Sequence, residues 1–138
     1  MSLLRLALGW IFFYQGIVAF TNPAWSLLPA IDHAQTFAHF YSSISHQPLL
    51  GSVSYVVKLL FVSVGALLIL GLWPRLVAFF GIALMLFFYF PLLHFPHVGS
   101  SGYIVDEHII YCIILAYLFV ARTKEWSGLK NIFKRPQN

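Results

Sequence analysis

Asp106, Glu107 and His108 follow one another at the head of an apolar run, Ile104 to Ala121, and their types point more directly to chemistry than any others in the chain. Carboxylates and imidazoles hold and pass protons. In hydrocarbon each such charge costs roughly 2.5 to 3.5 kcal/mol on insertion scales, so a cluster of them needs a partner, a water path or a task. Tyr111 and Cys112 share a helix face with His108 by their i+3 and i+4 spacing. Gln15 and Lys58 interrupt two other apolar runs, Tyr55 lies on the Lys58 face, and His94 and His97 flank the step Phe95-Pro96.

Each of these residues also has a plain structural explanation. Asp106 suits a helix N-cap, and Glu107 in a first turn meets the helix dipole favourably. Lys58 either snorkels to the interface or pairs with Asp106 or Glu107, which would lower the insertion cost of both partners. His94 and His97 could take a metal with His108 or Asp32 as a third ligand, but Phe95-Pro96 breaks the helix that would align them, so no metal is assigned. His33, His39 and His46 read as interfacial polar residues. Cys112, the single cysteine, reads as a small core hydrophobe, and a disulfide within the chain is excluded.

The elements that position these groups are apolar helices. Of 138 residues 60% are hydrophobic and 9% charged, against about 25% charged in an ordinary soluble domain. Four stretches approach or reach the roughly 20 residues needed to cross a bilayer: 3–20, 53–73, 76–93 and 104–121. They are apolar on every face, which excludes the alternation of a membrane barrel. The first is too long for a secretory signal and lacks a small-x-small ending. The expected fold is therefore all-α, a four-helix membrane bundle in one domain.

Trp73-Pro74-Arg75 is a tight turn that makes the second and third spans antiparallel neighbours. Residues 21–52 are too many for a bare connector and predict one or two short amphipathic helices, with Leu28, Ile31, Phe37, Phe40 and Tyr41 on one side. The tail 122–138 carries Arg122, Lys124, Lys130, Lys134 and Arg135 against Glu125, and Arg75 lies in the tight turn. By the positive-inside rule both belong to the cytoplasm, together with the N-terminus. The net charge of +4 then reports topology and lipid contact rather than nucleic-acid binding. This topology brings Gln15, Lys58, the His94/His97 corner and the triplet to one outer layer, where abundant Phe and Tyr suit a flat aromatic ligand.

Leu3 to Phe12 with Gly16, the Asn22-Pro23 step, Gly65 to Leu72 with Arg75, and Asp106-Glu107-His108-Ile109-Ile110-Tyr111 resemble the DoxX/DoxD family of small four-helix membrane proteins. The likeness runs from Leu4 to about Leu129 and is nearest the DoxD branch, the membrane subunit of thiosulfate:quinone oxidoreductase. Residues 121–130 depart from the glycine-rich turn and Trp-Gly-Leu-Asp ending common in that branch. The resemblance implies a redox-linked subunit of a prokaryotic plasma membrane, with quinone as its cofactor or substrate. Glu107, His108 and Lys58 would then be catalytic, and Gln15, Tyr111, Asp106, His94 and His97 would bind substrate. With no metal, flavin or haem motif, electrons would come from a secreted partner or from a small reductant such as a sulfur oxyanion drawn in by Lys58. The alternatives are a scaffold that docks such a partner and, with less support because no inverted repeat is evident, a small-solute transporter. Gly9, Gly16, Gly65 and Gly71 permit close helix approach within one chain or in a homo-oligomer.

Overall fold

The computed structural model describes residues 2–32, 34–94, 97–98 and 102–120. His33, the Phe95-Pro96 step and the basic tail 122–138 lie outside them. The described chain runs α1 (Ser2–Thr21), α2 (Leu28–Ile31), α3 (Ala38–Ser45), α4 (Leu49–Leu70), α5 (Pro74–Leu92), β1 (Leu93–His94), β2 (His97–Val98), β3 (Gly102–Tyr103) and α6 (Glu107–Val120). Three helices are long and apolar enough to cross a membrane: Leu3–Thr21, Leu49–Leu70 and Pro74–Leu92. The 14 described residues of α6 fall below the ~17 that crossing requires.

Local chemistry sets the helix ends. Gly71, at φ 70°, stops α4 short of the expected Trp73; its N–H bonds the Leu68 carbonyl and the Leu72 N–H reaches Leu67. That closure satisfies carbonyls a helix end leaves free. At its other end α4 begins before Val53, because Leu50 already donates to the His46 carbonyl. Pro74 opens α5 at the position where a missing N–H costs nothing. Near α6, Ile104 takes a positive φ of 54°, unfavourable for a β-branched residue. The Tyr89 hydroxyl donates to the Ile104 carbonyl at 2.6 Å and holds that turn. The helix therefore starts at Glu107 instead of Ile104.

Helix α1 packs along α4 and α5 along α6; α4 meets α5 across the tight turn, and α1 touches α6. Gly9 and Gly16 of α1 meet Ile69 and Val62 of α4, and Gly65 of α4 meets the Phe13 backbone, so these glycines serve an approach inside the chain. Phe12, Leu68, Val77 and Leu115 fill the interior at 2% exposure or less. The exterior is apolar too: Trp10, Phe79 and Ile113 are each at least 60% exposed. An apolar exterior around an apolar core is what lipid, not water, accommodates.

The long connection folds as two short helices, α2 and α3, placed against α5 and α4. Its apolar residues do not share one side as expected. Ile31, Tyr41 and Ile44 are buried, whereas Leu28, Phe37 and Phe40 are exposed, because α2 ends at Ile31 and the chain turns through a positive φ at Phe37. Pro91 lies inside α5 and has no N–H for the carbonyl four residues earlier, that of Phe87. The Tyr41 hydroxyl donates to this carbonyl at 2.9 Å, replacing the missing helical bond from outside the helix.

Burial pushes the Tyr41 hydroxyl up to about 12, so the stability it contributes is present below pH 10 and is lost as pH rises through its folded value. Tyr41→Phe is expected to cost about 1–3 kcal/mol by orphaning the Phe87 carbonyl. Pro91→Ala, which restores the N–H, should reduce that cost; a double-mutant cycle of thermal unfolding in detergent checks the coupling.

Candidate functional site

The three two-residue strands form an antiparallel sheet in the order β1-β2-β3, an arrangement with no periodic signal in so short a stretch. It sets His94 directly opposite His97, and the His97 ring lies edge-on to Tyr103 at 5.6 Å. The two histidines therefore face each other across paired antiparallel strands instead of lying one turn apart on a helix. No group of three His, Cys, Asp or Glu residues suited to a metal gathers among the described residues.

Between the helices, at the end that carries this sheet and α2, lies a cavity of about 220 Å³. Ile11, Phe12 and Gln15 of α1, Trp25 of the following loop, Phe61 of α4, Met85 and Phe88 of α5, and Glu107, His108 and Tyr111 of α6 line it. Four of the polar residues singled out from the sequence, Gln15, Glu107, His108 and Tyr111, thus meet in one place. Its walls are mostly apolar and aromatic, with Phe12, Phe61 and Phe88 in a chain of tilted contacts 5.6–5.9 Å between centroids. A few convergent polar groups in an apolar pocket are the usual form of a small-molecule site.

Asp106 does not line the cavity. Its Oδ1 accepts the backbone N–H groups of His108 (3.1 Å) and Ile109 (3.2 Å), which makes it the N-cap of α6. Its Oδ2 lies 2.6 Å from His108 Nδ1, and both side chains are about six-sevenths buried, at 14% and 16% exposure. The contact fixes the imidazole ring between the cap and the cavity. Glu107, at the first helical position, remains exposed.

Lys58, His94 and His97 are also outside the cavity lining. The expected ion pair of Lys58 with Asp106 or Glu107 is absent among the described residues, where the one bridge is that of Asp106 with His108. Lys58 instead places its ammonium 5.1 Å from the Trp25 ring centroid, a cation–π contact that steadies one cavity wall. The geometric reason is depth: Trp25 folds back over α4 after the Asn22 turn, whose side chain accepts the Ala24 N–H, and Leu27 is fully buried with its N–H on Ser54 Oγ. Trp25 lines the cavity, and Lys58, against its ring, does not. Trp25, Phe61, Met85 and Phe88 were not singled out by sequence reasoning; only the turn signal Asn22-Pro23 hinted that the chain reverses before Trp25.

The fold and its apolar exterior define a helical membrane protein with a partly open cavity of mixed polarity near one end of its helices. A family model for DoxX matches residues 1–94, and the chain belongs to the DoxX family, a family of membrane proteins. That match covers α1 to β1 and ends before the Asp106-Glu107-His108 triplet. No curated protein and no solved structure matches the chain.

Proposed function

We propose that this DoxX-family protein is a redox-linked four-helix membrane subunit that binds the ring of a quinone or its reduced form. The observation that carries the reading is the convergence of Gln15, Glu107, His108 and Tyr111 in one aromatic-walled cavity, with His108 held by Asp106. Its volume, about 220 Å³, exceeds the ~150 Å³ that admits benzene and suits one substituted six-membered ring. Gln15 and Tyr111 can bond ring oxygens, and His108 can exchange a proton with them. Glu107, exposed at the rim, links the cavity to water.

The positive-inside rule, applied to the basic residues of the tail and to Arg75, supports a cytoplasmic position for the opposite end of the helices in a prokaryotic plasma membrane, with the cavity toward the outer leaflet. Electrons pass to or from a secreted partner docked on that face. The DoxD-like sulfur oxyanion fits less well as a direct occupant. Among the described residues lining the cavity none is a cation, and Lys58 is engaged with Trp25.

Titration of the protein in nanodiscs with a short-tailed quinone, followed by Trp25 fluorescence against a Trp25→Phe control, tests the reading. Saturable quenching is expected, weakened about tenfold by Gln15→Leu, which leaves a ring oxygen without its amide donor. Absence of saturable binding to the native protein would overturn it.

A further inference from the structure

Asp106 is placed to decide which oxidation state of a ring the cavity prefers. Its Oδ1 is occupied as acceptor by two backbone N–H groups, those of His108 and Ile109. Backbone donors at a helix start call for an acceptor, which an aspartate carboxylate supplies as the N-cap. A carboxylate has only acceptors to offer. The 2.6 Å contact between Oδ2 and His108 Nδ1 is then a hydrogen bond in which Nδ1–H donates. In the neutral imidazole the proton sits on one nitrogen, so the remaining nitrogen, Nε2, is an acceptor.

We infer that Asp106 fixes the His108 tautomer so that the cavity presents an acceptor and selects a hydroxyl-bearing ring, a hydroquinone or phenol, over the corresponding carbonyl form. The other polar lining agrees with this. Glu107 is an acceptor when ionised, Gln15 and Tyr111 can act either way, and no cation among the described lining residues offers a fixed donor to a carbonyl oxygen. A hydroxyl finds its partner at Nε2, whereas a carbonyl there meets a lone pair. Asp106 is a positioning residue in this scheme, acting through His108. The inference rests on the ring-binding reading above and adds to it the preferred form of the ring.

Asp106→Asn separates this role from capping. Asn caps helices about as well as Asp, and its side-chain oxygen can keep the two backbone bonds. Its amide nitrogen would then face His108 Nδ1 as a donor, which moves the imidazole proton to Nε2. The cavity would present a donor in place of an acceptor.

The experiment compares durohydroquinone and duroquinone binding under argon to the native protein and to Asp106→Asn in nanodiscs, with ¹⁵N NMR of the His108 ring as a second readout. Native protein is expected to bind the hydroquinone about tenfold more tightly or better, as an unmatched buried hydrogen-bonding group implies. Asp106→Asn should abolish or invert that preference, and the NMR signals should show the proton moving from Nδ1 to Nε2. Equal or tighter native binding of duroquinone overturns the inference while leaving the ring-binding reading intact. So does an unchanged preference in Asp106→Asn, or a native ring protonated at Nε2 alone. If neither compound binds the native protein, the ring-binding reading fails and the preference falls with it.

Discussion

Gly65→Ala is expected to force α1 away from α4 and to destabilise the fold more than the same change at Gly9, Gly16 or Gly81. A Cβ at this position would lie 2.6 Å from Phe13 Cα and 2.7 Å from its Cβ, and nearer still to its backbone nitrogen. Backbone atoms cannot rotate aside as the end of a leucine can, so the helices must separate along their length. Overpacking of an interior costs about 1–3 kcal/mol where side chains give way, and more is expected here because they cannot. Gly51→Ala, in the same helix, is the control: its nearest neighbour is Gln47 Oε1 at 3.5 Å, an ordinary contact. That substitution should leave stability unchanged or raise it by up to about 1 kcal/mol through helix propensity. Thermal unfolding in a mild detergent distinguishes the two; equal midpoints would refute the close-crossing account.

Phe12→Ala is expected to damage both stability and the cavity. Phe12 is 1% exposed, packs its ring 5.9 Å from Phe61 and forms part of the cavity wall. Truncating a buried phenylalanine costs about 3–5 kcal/mol, since the surroundings collapse only in part. Lipid tails give apolar side chains no strong reason to leave the membrane, so the loss here is one of packing contacts. The enlarged cavity should admit bulkier rings and hold small ones less tightly. Detergent unfolding measures the first effect, and a series of quinones of increasing ring substitution measures the second. A midpoint within a degree of the native value would show that Phe12 carries no packing load.

Much of the architecture was legible in the sequence because hydrocarbon leaves few options. Long apolar runs become helices when backbone groups have no water to bond, and the helices beginning near residues 3, 49 and 74 are found close to their expected places. Punctuation was legible as well: Pro74 starts α5 and Asp106 caps α6. Lys58 was not. Its charge suggested an acidic partner, but an aromatic face serves a cation also, and only the return of the chain at Asn22 brings Trp25 over it. The partnership of Tyr41 with the carbonyl orphaned by Pro91 was equally hidden, since the two residues lie 50 positions apart and nothing local connects them.

Sequence alone determined that the chain suits a membrane, and it predicted that Gln15, Lys58, the His94/His97 corner and the Asp106-Glu107-His108 triplet lie at similar depth, with Tyr111 a turn deeper. Depth follows from counting residues along a helix of fixed rise. Tertiary structure decided which of the polar residues at that depth meet. Rotation about each helix axis depends on long-range packing, on Gly65 against Phe13 and on Leu115 against Gly81, and an apolar helix exposes no polar stripe from which that rotation could be read. The same packing turned Gln15, Glu107, His108 and Tyr111 into one cavity, left Lys58 against the Trp25 ring, and bound His108 to the carboxylate that starts its own helix.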